Sequence, residues 1–252
     1  MAVTFDALTS KIEHTTDVGF DVATLTILAW VLAAGVGEAT TANSVNRAFQ
    51  TGSATGAGFL GHPGDEANKL LFGHAWSLSA TGLAQWTVPA TDGQWHAIGA
   101  AYDRGSAAND PTIRVDFAAP TVTEKITPSG TVGSPSAGYV IGNNAAQTRT
   151  WDGRIAHLQF FDVILTADEM DAGLRRPGSI RRGLLRHWLL LDSTYTADYV
   201  GGSIPTATAL ATIDGPPCAP LWPGRAGFSG PAPAPPPSSA KPWDHYARLR
   251  AA

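Results

Sequence analysis

The chain has 252 residues, a formal net charge of -4, a charged fraction of only 15%, 27 glycines and 18 prolines. That mildly acidic balance supplies neither a basic footprint for nucleic acid nor a polybasic patch for a membrane surface. A single cysteine, Cys218, excludes an internal disulfide framework and reads as an unpaired thiol among prolines.

Met1 to Asp6 lacks the basic start and apolar run of a secretory leader, so synthesis in a cytoplasm is expected. Phe5-Asp6-Ala7-Leu8 and Ser10-Lys11-Ile12-Glu13-His14 read as short strands. Leu25 to Ala33 is a stronger one, with Leu25, Ile27, Ala29 and Val31 on one face and Leu28, Trp30 and Leu32 on the other. Apolar residues on both faces mark a central strand covered on both sides. The stretch Leu25 to Gly37 is too short to cross a bilayer.

Short strands follow at Arg47-Ala48-Phe49-Gln50, Gly58-Phe59-Leu60 and Lys69-Leu70-Leu71-Phe72-Gly73, with a further pair between Trp76 and Val88 around Thr81-Gly82. Trp95 to Asp103, Thr112 to Phe117, Tyr139 to Asn143 and Trp151 to Asp162 continue the cadence. Blocks of β-branched and aromatic residues bounded by Gly, Asp, Asn or Pro predict antiparallel strands, not alternating strands and helices. Thr166 to Gly173 reads as one or two helical turns, with Thr166 as N-cap, Glu169 three residues on and Gly173 as the stop. Leu184 to Asp192 is a last clear strand, and Asp198 to Gly202 with the Ala/Thr run beyond completes the globular part.

After Asp214 the character changes. Pro216, Pro217, Pro220 and Pro223 lead into Pro231-Ala232-Pro233-Ala234-Pro235-Pro236-Pro237, which favours polyproline II and cannot join a central sheet. Trp243, Tyr246 and Leu249 recur every third residue, a stripe suited to docking on a partner. The expected organisation is a sandwich over residues 1–214, a Pro-rich extended arm over 215–242 and an anchor segment over 243–252.

Trp95-His96, Tyr102-Asp103, Ile141-Gly142, Trp151-Asp152-Gly153-Arg154-Ile155 and Leu165-Thr166-Ala167-Asp168-Glu169 fall in an order and spacing that resembles a laminin-G-like, concanavalin A-like jelly roll. The resemblance implies an all-β fold, an antiparallel two-sheet jelly-roll sandwich, here with a Pro-rich C-terminal extension. Phe117 departs from it by standing where the family places a turn glycine.

Some relatives hydrolyse polysaccharides with paired carboxylates on a strand, as Glu-x-Asp-x-x-Glu, and no such string occurs. Asp168-Glu169-Met170-Asp171 reads as a helix cap and solvated face. His14, His62, His74, His96, His157, His187 and His245 are scattered without metal-ligand spacing, and His96 and His157 read as hydrogen-bonded edge residues. Nor is there a serine nucleophile elbow or a phosphate-cradling glycine loop. Calcium is implied by the resemblance, but Asp103, Asp110, Asn143, Asn144 and Asp152 match no ligand pattern and read as turn caps. No enzymatic activity and no cofactor are therefore expected.

Two functions remain. The first is a virion structural protein, a bacteriophage capsid decoration or tail surface protein. Its jelly roll would face outward while the arm, through Trp243, Tyr246 and Leu249, docks on the major capsid protein or on copies of itself. The second is a carbohydrate-binding, lectin-like module, for which Trp76, Trp86, Tyr102 and Trp151 are the candidate glycan-stacking rings, against the alternative that they are core. A bacterial surface adhesin is disfavoured by the missing export signal.

Overall fold

The computed structural model describes residues 2–6, 8–54, 56–188, 190, 198, 200 and 205–216. Cys218, the proline-rich arm and the predicted anchors Trp243, Tyr246 and Leu249 lie outside the described residues. The described strands, in chain order, are β1 (Ala2–Phe5), β2 (Lys11–His14), β3 (Thr24–Ala33), β4 (Val45–Thr51), β5 (Gly58–Pro63), β6 (Lys69–Ala75) and β7 (Leu83–Pro89). There follow β8 (His96–Asp103), β9 (Thr112–Val115), β10 (Thr123–Ile126), β11 (Tyr139–Ile141) and β12 (Gly153–Phe161). Helix α1 (Ala167–Arg175) precedes β13 (Leu184–Trp188), β14 (Thr206–Thr208) and β15 (Ala211–Ile213).

These strands build two antiparallel sheets. The first runs β15-β1-β12-β3-β8-β9, with β13 pairing beside β12, and the second runs β10-β7-β6-β5-β4-β11-β2-β14. The all-β jelly-roll sandwich implied by the motif string is the fold of the chain.

Strand β3 is central, flanked by β12 and β8. Its Leu25, Ile27, Ala29 and Val31 enter the layer between the sheets, whereas Leu28 and Trp30 pack on the other side. The alternation of side chains along a strand accounts for this split. Between the sheets, Phe20, Phe49, Tyr139, Phe160 and Trp188 form one aromatic cluster, with Tyr139 and Trp188 centroids 4.7 Å apart. Phe72, Trp86 and Tyr102 form another, with Trp86 and Tyr102 at 5.2 Å. Burying each large ring contributes about 1.5–3 kcal/mol before conformational entropy is subtracted.

Motif residues have local reasons. Gly142 closes β11 at φ 80°, and a Cβ there would run into the Phe5 ring. The hairpin after β9 has no glycine: Asp116 and Phe117 take φ 50° and 66°, and Val115 and Ala118 exchange two backbone hydrogen bonds of 3.0 Å. This is a two-residue turn with both central residues left-handed, so the hairpin forms in spite of the phenylalanine. Strand β12 carries a bulge at His157, φ 52°, where its register against β3 jumps from Ala156 to Gln159. The β14–β15 segment pairs with β2 in one sheet and β1 in the other, tying the sandwich edge.

Candidate functional site

The outer faces of the two sheets are covered differently. Helix α1 lies on the first sheet, and its Met170 and Leu174 pack with Leu28, Trp30, Ala97, Ala101 and Phe161. Thr166 caps it through a capping box: Glu169 N–H donates to Thr166 Oγ1 at 3.3 Å and Thr166 N–H donates to Glu169 Oε2 at 2.8 Å. Glu169 also accepts from Arg182 at 2.8 Å, and Asp171 accepts from Arg114 Nε at 3.1 Å and Nη2 at 2.6 Å. The densest acidic run thus holds the helix down, as its sequence context suggested.

Loops cover the second sheet's outer face. Val45, Phe59, Leu71 and Leu83 form an apolar strip on it, and Arg47, Gln50 and Gln85 share the strands that carry the strip. The 34–44 loop is pinned there by buried Asn46, which accepts from Ala39 N–H at 2.9 Å and donates to Ala39 O at 2.8 Å. Gln85 Nε2 donates to Asn43 O of the same loop at 2.8 Å.

Polar groups on this face are left unused. Arg47 donates through Nη1 to Gln50 Oε1 and lays its guanidinium 4.2 Å from the Phe59 ring centroid, but its buried Nε has no partner. The buried Gln85 Oε1 has none either. Arg47 N–H donates to Arg149 O at 2.9 Å, so the two arginines are neighbours across a backbone hydrogen bond. Burial, reinforced by the Arg149 charge, pushes Arg47 down to about 9, which leaves it protonated at neutral pH.

Arg149 is presented by a loop with its own scaffold. Asn143 is fully buried, accepts from Asn144 N–H and Arg149 N–H at 2.9 and 3.0 Å, and donates to Leu8 O at 3.0 Å and Thr150 Oγ1 at 2.9 Å. Asn144 Oδ1 accepts from Thr148 N–H at 2.8 Å. The sequence showed Arg47 and Gln50 only as strand residues and did not single out Arg149 or Gln85. A charged residue inside an otherwise apolar strand was the one available signal.

The predicted stacking rings lie elsewhere. Trp76 is 4% exposed, Trp86 1%, and Tyr102 and Trp151 0%, all within the core between the sheets. Trp76 Nε1 donates to Tyr102 Oη at 3.2 Å and Trp86 Nε1 to Asp110 Oδ1 at 3.0 Å. No ring face is free for a sugar, so the stacking role is corrected to a core role: these large apolar surfaces gain more from the sandwich interior than from water.

Four of the five loop-edge residues, Asp103, Asp110, Asn143 and Asn144, have protein partners for their side-chain oxygens. Asp103 accepts from Gly105 N–H at 2.8 Å and Asp110 from Trp86. Among the described residues no group of three or more His, Cys, Asp or Glu side chains converges as a metal cluster. His96 is held between Asp116 Oδ2 at 2.7 Å and Thr91 O at 3.0 Å. His157 differs from the expectation: its buried Nδ1 has no partner, and neither has Nε2 of His187. Desolvation pushes His157 down to about 4 and His187 to about 3, so both are neutral, buried imidazoles.

A two-sheet antiparallel sandwich with a helix packed on one outer face is the architecture of concanavalin A-like domains. The chain belongs to the concanavalin A-like lectin/glucanases superfamily, whose family model Laminin_G_3 matches residues 6–171. No curated protein matches it in sequence. Among solved structures it is similar to the heptameric SAP-like pentraxin from Limulus polyphemus, at 12% identity over 84% of this chain and 94% of that one, with TM-score 0.52. It is also similar to a protein from Bacteroides ovatus proposed to bind carbohydrate, at 16% identity over 86% of this chain and 61% of that one, with TM-score 0.58. At these identities the likeness is one of fold.

Proposed function

We propose that the protein is a non-catalytic carbohydrate-recognition module that binds its ligand on the outer face of the second sheet. The observation that carries this reading is the family match over residues 6–171. On the outer face of the second sheet the partly exposed Arg47 guanidinium, 4.2 Å from the Phe59 ring centroid, offers donors that sugar hydroxyls can accept. Membership of a lectin and glucanase superfamily supports the same class.

Retention of the full-length protein on a panel of immobilised polysaccharides tests the proposal. At least one should be retained, and Arg47→Gln, at a partly exposed residue of that face, should weaken its retention. Failure to retain any glycan, or retention indifferent to the Arg47 substitution, would sink the reading.

A second reading rests on the proline-rich run 216–237 and the Trp243, Tyr246, Leu249 stripe: the arm fastens the module to a particle, as a phage capsid decoration or tail surface protein. A polyproline II segment is already stiff, so docking it loses less entropy than docking a glycine linker. Light scattering on the full chain and on one ending at Gly230 tests this. A defined oligomer that becomes monomeric on truncation supports an assembly arm, and two monomers of unchanged state remove self-docking.

A further inference from the structure

We infer that the proline-rich run 231–237 docks on the outer face of this chain's own first sheet, along the cross-strand row Ala211, Thr4, Arg154, Leu32 and Trp95. The inference concerns the arm and does not rest on the glycan reading. It leaves Trp243, Tyr246 and Leu249, beyond the docked run, for a partner.

The row follows from the sheet register. Thr4 pairs with Ala211 on one side and Arg154 on the other, and Arg154 pairs with Leu32. Val31 pairs with His96, so Trp95, just before β8, continues the row. Val3, Phe5, Val31 and Ile155 face the layer between the sheets, so their neighbours Thr4, Leu32 and Arg154 point outward. Trp95 and Ile213 pack with the cluster beneath α1, which puts Trp95 and Ala211 on the same outer face. The helix covers Leu28, Ala97 and Ala101, and the row lies beyond it. Along the row Thr4, Arg154 and Trp95 are partly exposed and Ala211 is exposed.

Trp95 differs from the other described tryptophans. Trp30, Trp76, Trp86, Trp151 and Trp188 are buried, and four of them donate their indole N–H inside the protein, Trp30 to Leu174 O at 2.9 Å and Trp188 to Tyr139 Oη at 3.0 Å among them. Among the described residues neither the Trp95 indole N–H nor the Arg154 guanidinium has a hydrogen-bond partner, and both reach solvent. Between these two donors Leu32, 8% exposed, is an apolar floor.

A proline-rich segment is suited to such a row. Proline has no N–H and polyproline II makes no internal hydrogen bonds, so Pro231-Ala232-Pro233-Ala234-Pro235-Pro236-Pro237 offers carbonyl acceptors and ring faces. Aromatic-lined grooves receive segments of this kind. The dimensions agree. Arg154 and Trp95 are two strand spacings apart, about 10 Å, and polyproline II repeats every three residues, about 9 Å. From β15 to Trp95 is four spacings, about 19 Å, and seven residues of polyproline II cover about 22 Å.

The point of departure favours the chain's own arm. Strand β15 is the edge strand at which the row begins, and residues 214–216 follow it directly. Residues 217–230 then tether the run, with a reach of about 46 Å when extended. That reach spans the sheet and keeps the run at an effective concentration in the millimolar range, an advantage the arm of a second copy lacks.

The test is hydroxyl-radical footprinting of the full-length protein beside a chain ending at Gly230, read by mass spectrometry at Trp95. The truncation removes no described residue. With the run docked about two-thirds of the time or more, Trp95 should oxidise about threefold or more slowly in the full chain. Leu78, 75% exposed on the other sheet's side, should oxidise equally in both and so guards against misfolding. In the full chain, Arg154→Gln should raise Trp95 oxidation toward the truncated value, and so should Pro233→Ala, Pro235→Ala and Pro236→Ala combined. Equal Trp95 oxidation in every form overturns the docking and leaves both readings of the function standing. Protection that vanishes on dilution, with a dimer mass in light scattering, gives the row to a second copy's arm and overturns the intramolecular contact. Protection lost on truncation but kept in the proline variant moves the contact to residues 238–252 and overturns the assignment to the run.

Discussion

Phe117 holds φ at 66°, a conformation that glycine adopts freely and a bulky side chain does not. Its ring lies 3.8 Å beneath the Arg175 guanidinium and edge-on to Trp30 at 6.1 Å. The strain of about 1–2 kcal/mol is therefore set against contacts of similar size. Phe117→Ala should destabilise by about 1–2 kcal/mol in chemical denaturation, because it loses the ring and keeps the strain. Phe117→Gly should lie about 1 kcal/mol above the alanine variant, since it loses the ring but relaxes the backbone. Equal stability of the two would remove the strain argument. The sequence flagged this residue as a departure, but only the packing of Arg175 and Trp30 explains why the turn tolerates it.

Buried imidazoles set an acid limit. His187 is pushed down to about 3 and His157 and His74 to about 4, in each case chiefly by burial, from an ordinary value of 6.5. Unfolding exposes groups that take up protons below about pH 6.5, so between about pH 6.5 and 4 the unfolded chain binds more protons. Stability is then fully present above pH 6.5 and is lost as pH falls, by at most about 1.4 kcal/mol per pH unit for each imidazole. Denaturant titrations from pH 7 to 4 should show this slope, and His187→Gln should reduce it by about one proton. An unchanged slope would mean that His187 is not the titrating group. Histidine burial was not readable from the sequence, because a histidine beside an apolar strand fits an edge as well as an interior.

At the scale of elements, α1 was legible because capping is local. The Thr166 hydroxyl, the Glu169 carboxylate and the spacing between them are all in the sequence, and both reciprocal bonds form. Thr166→Ala should cost about 1 kcal/mol, measured by thermal or chemical unfolding. The loop carrying Arg149 was not legible. Its organiser, Asn143, was noted only as a loop-edge oxygen donor, yet it joins Leu8, Asn144, Arg149 and Thr150. The bond to Leu8 O joins residues more than a hundred positions apart, which no local pattern encodes. Asn143→Ala should destabilise by about 2–3 kcal/mol through the unpaired groups it leaves. Chemical denaturation of the variant reads this loss.

For the whole molecule, β14 and β15 finish opposite sheets with one short segment, against β2 and β1. Ending the chain after Pro216 should preserve cooperative unfolding, since every described strand remains. Ending it after Pro205 should bare the edges of β1 and β2 and produce aggregation or a lower, broader melt, because open edges template pairing between chains. A Pro205 form that melts like the Pro216 form would show that the strap is dispensable.

The sequence by itself determined most of the strands and their alternation, because period-two patterning, turn residues and capping pairs act over a few positions. It did not mark β10, and it placed the first strand at 5–8 where the chain forms Ala2–Phe5. Through its motif string it carried the resemblance to a jelly roll. It also marked the change of character after Asp214. Tertiary structure alone decided which faces those residues occupy. Trp76, Trp86, Tyr102 and Trp151 went to the interior because burial of a large ring depends on what the opposite sheet presents. Arg47 and Arg149, a hundred residues apart, became neighbours because strand pairing and a buried asparagine bring their backbones together, and their charges interact only once that distance has closed.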